Sequence, residues 1–176
     1  STTSSGTSAA QVTAAASSSQ NQSKYEANVA SVAGKMDNRV IAAYQQLGFK
    51  LVVDPSVNYS GYFDARSRSI TMKQIDDSVY HELGHFLAFI AGNVDKTASF
   101  QSIFAAEKAN VTAFNKAYVT QNASEYFAES VKDYILNNAS LKSTRPQTYA
   151  AVQNALNQIT DAQIAKIQKI YGAFWN

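Results

Sequence analysis

Apolar positions follow two different rhythms along this chain. From Lys24 onward, Tyr25, Val29, Val32, Met36, Val40, Ile41, Tyr44 and Leu47 recur every three or four residues, the period of one helix face, and Gly48 is a natural stop. The rhythm then shortens. Phe49–Val53, Tyr59–Phe63 and Ser69–Lys73 read as short strands, with Asp54-Pro55 and Arg66-Ser67-Arg68 as the turns between them. Asp76-Asp77 suits the start of a helix that runs to about Ile90 and leaves through Ala91-Gly92-Asn93. Thr97–Glu107 and Ala123–Leu136 are also helical, with a less regular piece around Phe114 and Tyr118 between them. Pro146 suits the first turn of a further helix, where its missing N–H costs little. Ile164, Ile167, Ile170, Tyr171 and Phe174 line the core-facing side of a last one. Strands first and helices afterwards predict a mostly helical α+β domain with a small antiparallel sheet.

The N-terminal stretch has neither rhythm. Residues Ser1 to Ser23 carry no charged side chain, and Ser, Thr, Ala and Gln dominate. Such a segment cannot offset its ordering entropy by burial, so 1–23 is expected to be a disordered linker or tail and 24–176 a single domain. The net charge is only +2, and the basic residues are scattered. That argues against nucleic acid and against an anionic membrane surface, and no apolar stretch approaches a membrane span. A monomer is expected. The chain has no cysteine. Disulfides and thiolate metal ligands are thereby excluded, and the absence fits an exported protein of a Gram-positive bacterium.

The chemistry concentrates in His81-Glu82-Leu83-Gly84-His85, which holds the only two histidines of the chain. Residues four apart share a helix face, so both imidazoles can reach one ion. Glu82, next to the first ligand, can take a proton from a water there. H-E-x-x-H on a helix is the signature of zinc peptidases of the zincin type. The uncharged flanks Ser78-Val79-Tyr80 and Phe86-Leu87 suit a buried active-site helix. A catalytic zinc commonly takes a third protein ligand. Glu125 and Glu129 stand out, four apart in the otherwise apolar Glu125-Tyr126-Phe127-Ala128-Glu129. One can bind the metal and the other can accept the free N–H of a ligand histidine. Spacing alone leaves the two roles interchangeable.

These motifs resemble those of the anthrax-lethal-factor-like peptidases, which include the clostridial Pro-Pro endopeptidases. The segment Lys96–Glu107 resembles the stretch after the zinc helix in that group. Glu125-Tyr126-Phe127-Ala128-Glu129-Ser130 resembles its E-[FY]-F-A-E-[AS] helix, and Leu141–Tyr149 continues the likeness, which spans Asp77 to Asn157. The resemblance implies a gluzincin-type zinc metalloendopeptidase, secreted, with His81, His85 and Glu125 as Zn2+ ligands and Glu82 as general base. By the same resemblance Tyr118 stabilises the oxyanion and Glu129 supports a ligand histidine. The substrate would be a peptide bound in extended form, paired with Ser69–Lys73 as the sheet edge. The stretch Asn58–Arg68 would shape the pocket walls, with Arg66 and Arg68 favouring acidic residues near the cut. Here the chain departs from the Pro-Pro endopeptidases, which carry a longer loop rich in glycine and tryptophan before the zinc helix. Proline-directed cleavage therefore stays open. The rival expectation is a catalytically degenerate domain that binds zinc and recognises peptides.

Overall fold

The structure, a computed structural model, describes residues 23–175. All but the last residue of the expected tail lies outside them. The described chain opens with a strand, β1 (Tyr25–Ala27), and two helices, α1 (Val29–Val32) and α2 (Asn38–Gln46). Three strands follow, β2 (Lys50–Val53), β3 (Gly61–Asp64) and β4 (Ser69–Met72). Then come the histidine-bearing helix α3 (Ser78–Ile90), α4 (Ala98–Glu107), the short α5 (Lys116–Val119) and the glutamate-bearing helix α6 (Ala123–Leu136). Helices α7 (Asn138–Thr144), α8 (Pro146–Asn157) and α9 (Asp161–Trp175) complete the domain. The architecture is α+β, as the apolar rhythm predicts. Among the described residues no helix is long and apolar enough to cross a membrane.

Two sequence expectations need correcting here. The long helix from Lys24 to Leu47 is broken into β1, α1 and α2. The Asn28 side chain caps α1 by accepting from the Ser31 N–H at 3.2 Å, and Asp37 caps α2 by accepting from the Arg39 N–H at 2.9 Å. Two N-caps within ten residues restart the helix. The apolar period survives the break because Val29, Met36, Val40, Tyr44 and Leu47 are buried in both arrangements. Freed from the helix, Tyr25–Ala27 pairs antiparallel with β2.

The second correction concerns the sheet, which is mixed rather than antiparallel. Its order is β1-β2-β4-β3, with β2 and β4 parallel. A tight turn through Arg68, at φ +53°, forces β3 and β4 into an antiparallel hairpin. The longer stretch from Asp54 to Ser60 lets β4 slot between β2 and β3. Strand periodicity identifies strands but not their order. Ser69–Met72 is therefore interior, and the edge bordering the histidine helix is β3.

Leu51, Ile70 and Met72 point to one face of the sheet and are buried in the core shared with α3. An aromatic cluster locks the layers together. Phe49 meets Phe86 edge-on at 4.9 Å between ring centroids and Trp175 at 5.6 Å. Trp175 also donates its indole N–H to the Ala65 carbonyl at 3.0 Å, and Arg68 lies over its ring at 5.2 Å. Arg68 further donates to the Leu47 carbonyl at 3.0 Å. It is a structural tie, and Arg66 lines a small apolar hollow with Tyr171, Phe174 and Trp175. Neither arginine lines the cleft over His81 and Glu82. On α9 the apolar face is only half used: Ile164 and Ile167 are buried, while Ile170 and Phe174 are largely exposed.

Candidate metal centre

Helices α3 and α6 cross with almost no space between their backbones. A Cβ on Gly84 would stand 2.6 Å from the Ala128 carbonyl oxygen and 2.7 Å from its Cα. This approach carries Glu125 and Glu129, which flank Ala128, onto the face that displays His81 and His85. The register of α6 is set at its start, where the Asn122 side chain accepts from the Glu125 N–H at 2.8 Å. Glu125 thus sits in the first turn of its helix, where a carboxylate also suits the helix dipole.

The two imidazoles converge on one carboxylate. His81 Nε2 lies 2.9 Å from Glu125 Oε2, and His85 Nε2 lies 3.1 Å from Glu125 Oε1. One ligand atom from each of the three residues falls within 4.8 Å of the other two. Two imidazole nitrogens and a carboxylate oxygen so placed fit a divalent cation, and three protein ligands leave a coordination position open. On the far side of His81, Nδ1 faces Glu129 Oε1 at 3.7 Å. Glu125 makes the direct contact to both Nε2 atoms and Glu129 faces only the other nitrogen of His81. The geometry therefore distinguishes the two carboxylates that spacing left interchangeable.

Glu82 points into the same cleft and is only 5% exposed. Burial pushes its carboxyl above the usual range, His81 and His85 draw it back, and Glu125 and Glu129 push it up again. Strand β3 closes over it, and a Cβ on Gly61 would lie 2.9 Å from Glu82 Cγ. The cleft, about 440 Å³, is walled by Tyr59, Gly61, Tyr118 and Lys132 around His81 and Glu82. Tyr118 is 55% exposed, with its ring centroid 6.5 Å from that of His81. All six residues singled out from the sequence thus meet in one place: His81, Glu82, His85, Tyr118, Glu125 and Glu129. Gly61 lies in the Asn58–Arg68 stretch expected to shape the pocket wall, whereas Gly84 and Lys132 carry no expectation from the sequence. A glycine inside a helix was a readable signal of close packing, and Lys132 follows Glu129 at i, i+3.

Acid–base behaviour without a cation follows from the same contacts. Burial alone would lower the His81 pKa, but the hydrogen bond to Glu125, the nearby Glu129 carboxylate and the charge of Glu82 outweigh it and push it from 6.5 to about 9. A base whose pKa is raised on folding stabilises the fold fully below its unfolded pKa and loses that contribution as pH rises through the folded one. The metal-free protein should therefore lose melting temperature between about pH 6.5 and 9. Bound metal displaces the proton, so the loaded protein should lack this fall. Thermal melts across that range, with chelator and with saturating Zn2+, measure the difference.

A stretch of 78 residues is 41% identical to the Pro-Pro endopeptidase of Clostridioides difficile (strain 630), covering 42% of this chain and 34% of that protein. The match thus spans about a third of the relative's length. The family profile for anthrax toxin lethal factor, N- and C-terminal domain, matches residues 65–155. That range takes in β4, the two helices that carry the candidate ligands and most of α8, just over half of the chain, which therefore belongs to the anthrax toxin lethal factor family.

Proposed function

We propose that this chain is a zincin-like, gluzincin-type zinc endopeptidase that acts outside the cell, as a monomer, on peptides bound in extended form. The observation that carries this reading is the convergence of His81, His85 and Glu125 on one point, with Glu82 buried beside it. Zn2+ held there would acidify water and polarise a scissile carbonyl. Glu82 would take the proton of the attacking water and hand it to the leaving amine. Tyr118 would donate its phenol O–H to the oxyanion; burial, and then the charge of Glu125, raise its pKa and keep it protonated. Glu129 would hold the His81 ring in orientation through Nδ1. An extended substrate would pair with the free edge of β3, alongside the cleft. The name of the clostridial relative makes Pro-Pro bonds the first candidates for cleavage.

The rival reading, a degenerate domain that binds zinc and peptides without turnover, has less support. A purely structural metal site has no need of a buried carboxylate in the position of Glu82. Cleavage-site profiling of a proteome-derived peptide library, with the Glu82→Ala protein as blank, separates the two. Stoichiometric zinc without any cleavage would establish the rival.

Ligand roles are tested by metal content. His81→Ala, His85→Ala and Glu125→Ala should each bind less than a tenth of the wild-type zinc at a fixed, limiting free concentration. Glu129→Ala should lose less affinity, roughly 10–100-fold for such a supporting contact, and should refill when free zinc is raised about a hundredfold, whereas the three ligand variants should not. Retention by Glu125→Ala together with loss by Glu129→Ala would shift the ligand assignment by one helical turn.

A further inference from the structure

We propose that Lys132 makes a second, polar subsite of this cleft selective for an acidic side chain of the peptide, at a position removed from the scissile bond. The inference rests on the peptidase reading above. The cleft over His81 and Glu82 does not end at Glu129. A second hollow, about 460 Å³, adjoins it, and Asn115, Glu129 and Lys132 border both. Together they form one groove that runs from β3 across the metal site and on past α6 toward α7.

The charges along this groove are unevenly committed. Asp133 and Arg145 neutralise one another at 2.5 Å, and Arg145 also donates to Ser130 Oγ at 3.1 Å. Glu129 Oε1 is shared, with His81 Nδ1 at 3.7 Å on one side. The Lys132 ammonium lies 3.7 Å from Glu129 Oε1. A charge-assisted N–H···O bond is about 2.7–2.9 Å, so this pair is loose. The Lys132 side chain is 31% exposed. An ammonium on a four-carbon stem has three donors and swings at little cost. It can turn from Glu129 to a carboxylate entering the second hollow.

Position within the groove supplies the selectivity. Glu82 and Glu125 crowd the end where the bond would be cut, with Glu129 at the junction of the two hollows, and like charges disfavour another carboxylate at that end. An acidic residue of the peptide is acceptable only farther along, where Lys132 faces the opening. Phe114 stands fully exposed at the rim of the second hollow and offers an apolar face to the peptide stem beside that acid.

The test uses the full chain loaded with Zn2+ and a library of random decapeptides, with cleavage sites read by mass spectrometry. Wild type should enrich Asp and Glu about three- to tenfold at one position away from the cut, the range of a partly exposed ion pair. Lys132→Gln should abolish that enrichment, and Lys132→Glu should reverse it to Lys and Arg. Cleavage without acidic enrichment, or enrichment that survives Lys132→Glu, overturns the subsite and leaves the peptidase reading standing. A wild type that cleaves nothing overturns the peptidase reading instead. The subsite is then judged by binding alone, using affinity selection on the Glu82→Gln protein. The probes are decapeptide pools that carry Asp or Asn at each position in turn. An Asp preference lost in the Glu82→Gln/Lys132→Glu double variant supports the subsite, and equal capture of the two pools overturns it.

Discussion

Replacing Glu82 with glutamine should leave zinc content and melting temperature near wild type while lowering kcat by about 10²–10⁴-fold, the range of a positioned general base. Glutamine keeps the shape of the side chain, so the fit beneath β3, where Gly61 leaves room for Glu82 Cγ, is preserved. It cannot take up and release a proton. A smaller effect is expected at Tyr118. Removing its hydroxyl in Tyr118→Phe takes away a donor acting only on developing charge, so kcat should fall by about tenfold or more with KM little changed. Single-turnover kinetics on zinc-loaded proteins would check both. Turnover by Glu82→Gln above a tenth of wild type would remove the base assignment. Zinc loss in the same variant would instead make Glu82 a ligand.

The candidate-site residues were legible because their chemistry is local. His81, Glu82 and His85 lie within five consecutive positions of one helix, and Glu125 with Glu129 within five of another. A helix converts such spacing into a shared face without help from the rest of the chain. The boundaries of α6 could be read for a similar reason: Asn122 is a strong N-cap, and the apolar period is unbroken to Leu136. What could not be read depends on contacts between distant segments. Nothing in the local pattern of Ser69–Met72 distinguishes an interior strand from an edge strand, and the answer came from β4 inserting beside β2. Tyr25 fits a helical period and a strand equally well until Val53 is placed opposite it. Arg68 reads from the sequence as a turn residue facing the substrate, yet its guanidinium donates to the Leu47 carbonyl and lies over the Trp175 ring, contacts with distant segments.

Gly84 joins the local motif to the global packing, and Gly84→Ala should be the most damaging single-methyl change in the domain. The added carbon would meet Ala128 O at 2.6 Å, Ala128 Cα at 2.7 Å and the Ala128 carbonyl carbon at 3.1 Å. All three are backbone atoms, so no rotamer change relieves the clash and the helices must move apart. Overpacking of this kind costs about 1–3 kcal/mol and sometimes more. Because Ala128 lies between Glu125 and Glu129, the displacement would also draw Glu125 away from His81 and His85. Zinc affinity should therefore fall at least about tenfold, which is about 1.4 kcal/mol. Gly172→Ala, in α9 where the new carbon would meet nothing within 4 Å beyond its own stretch of helix, is the control. It should be neutral or slightly stabilising, since alanine is favoured over glycine inside a helix by about 1 kcal/mol. Denaturant unfolding with chelator and competitive zinc titration give the two quantities separately. A Gly84→Ala protein with wild-type stability would show that the helices can separate freely. Lost stability with unchanged zinc affinity would show that Glu125 reaches its histidines independently of the helix crossing.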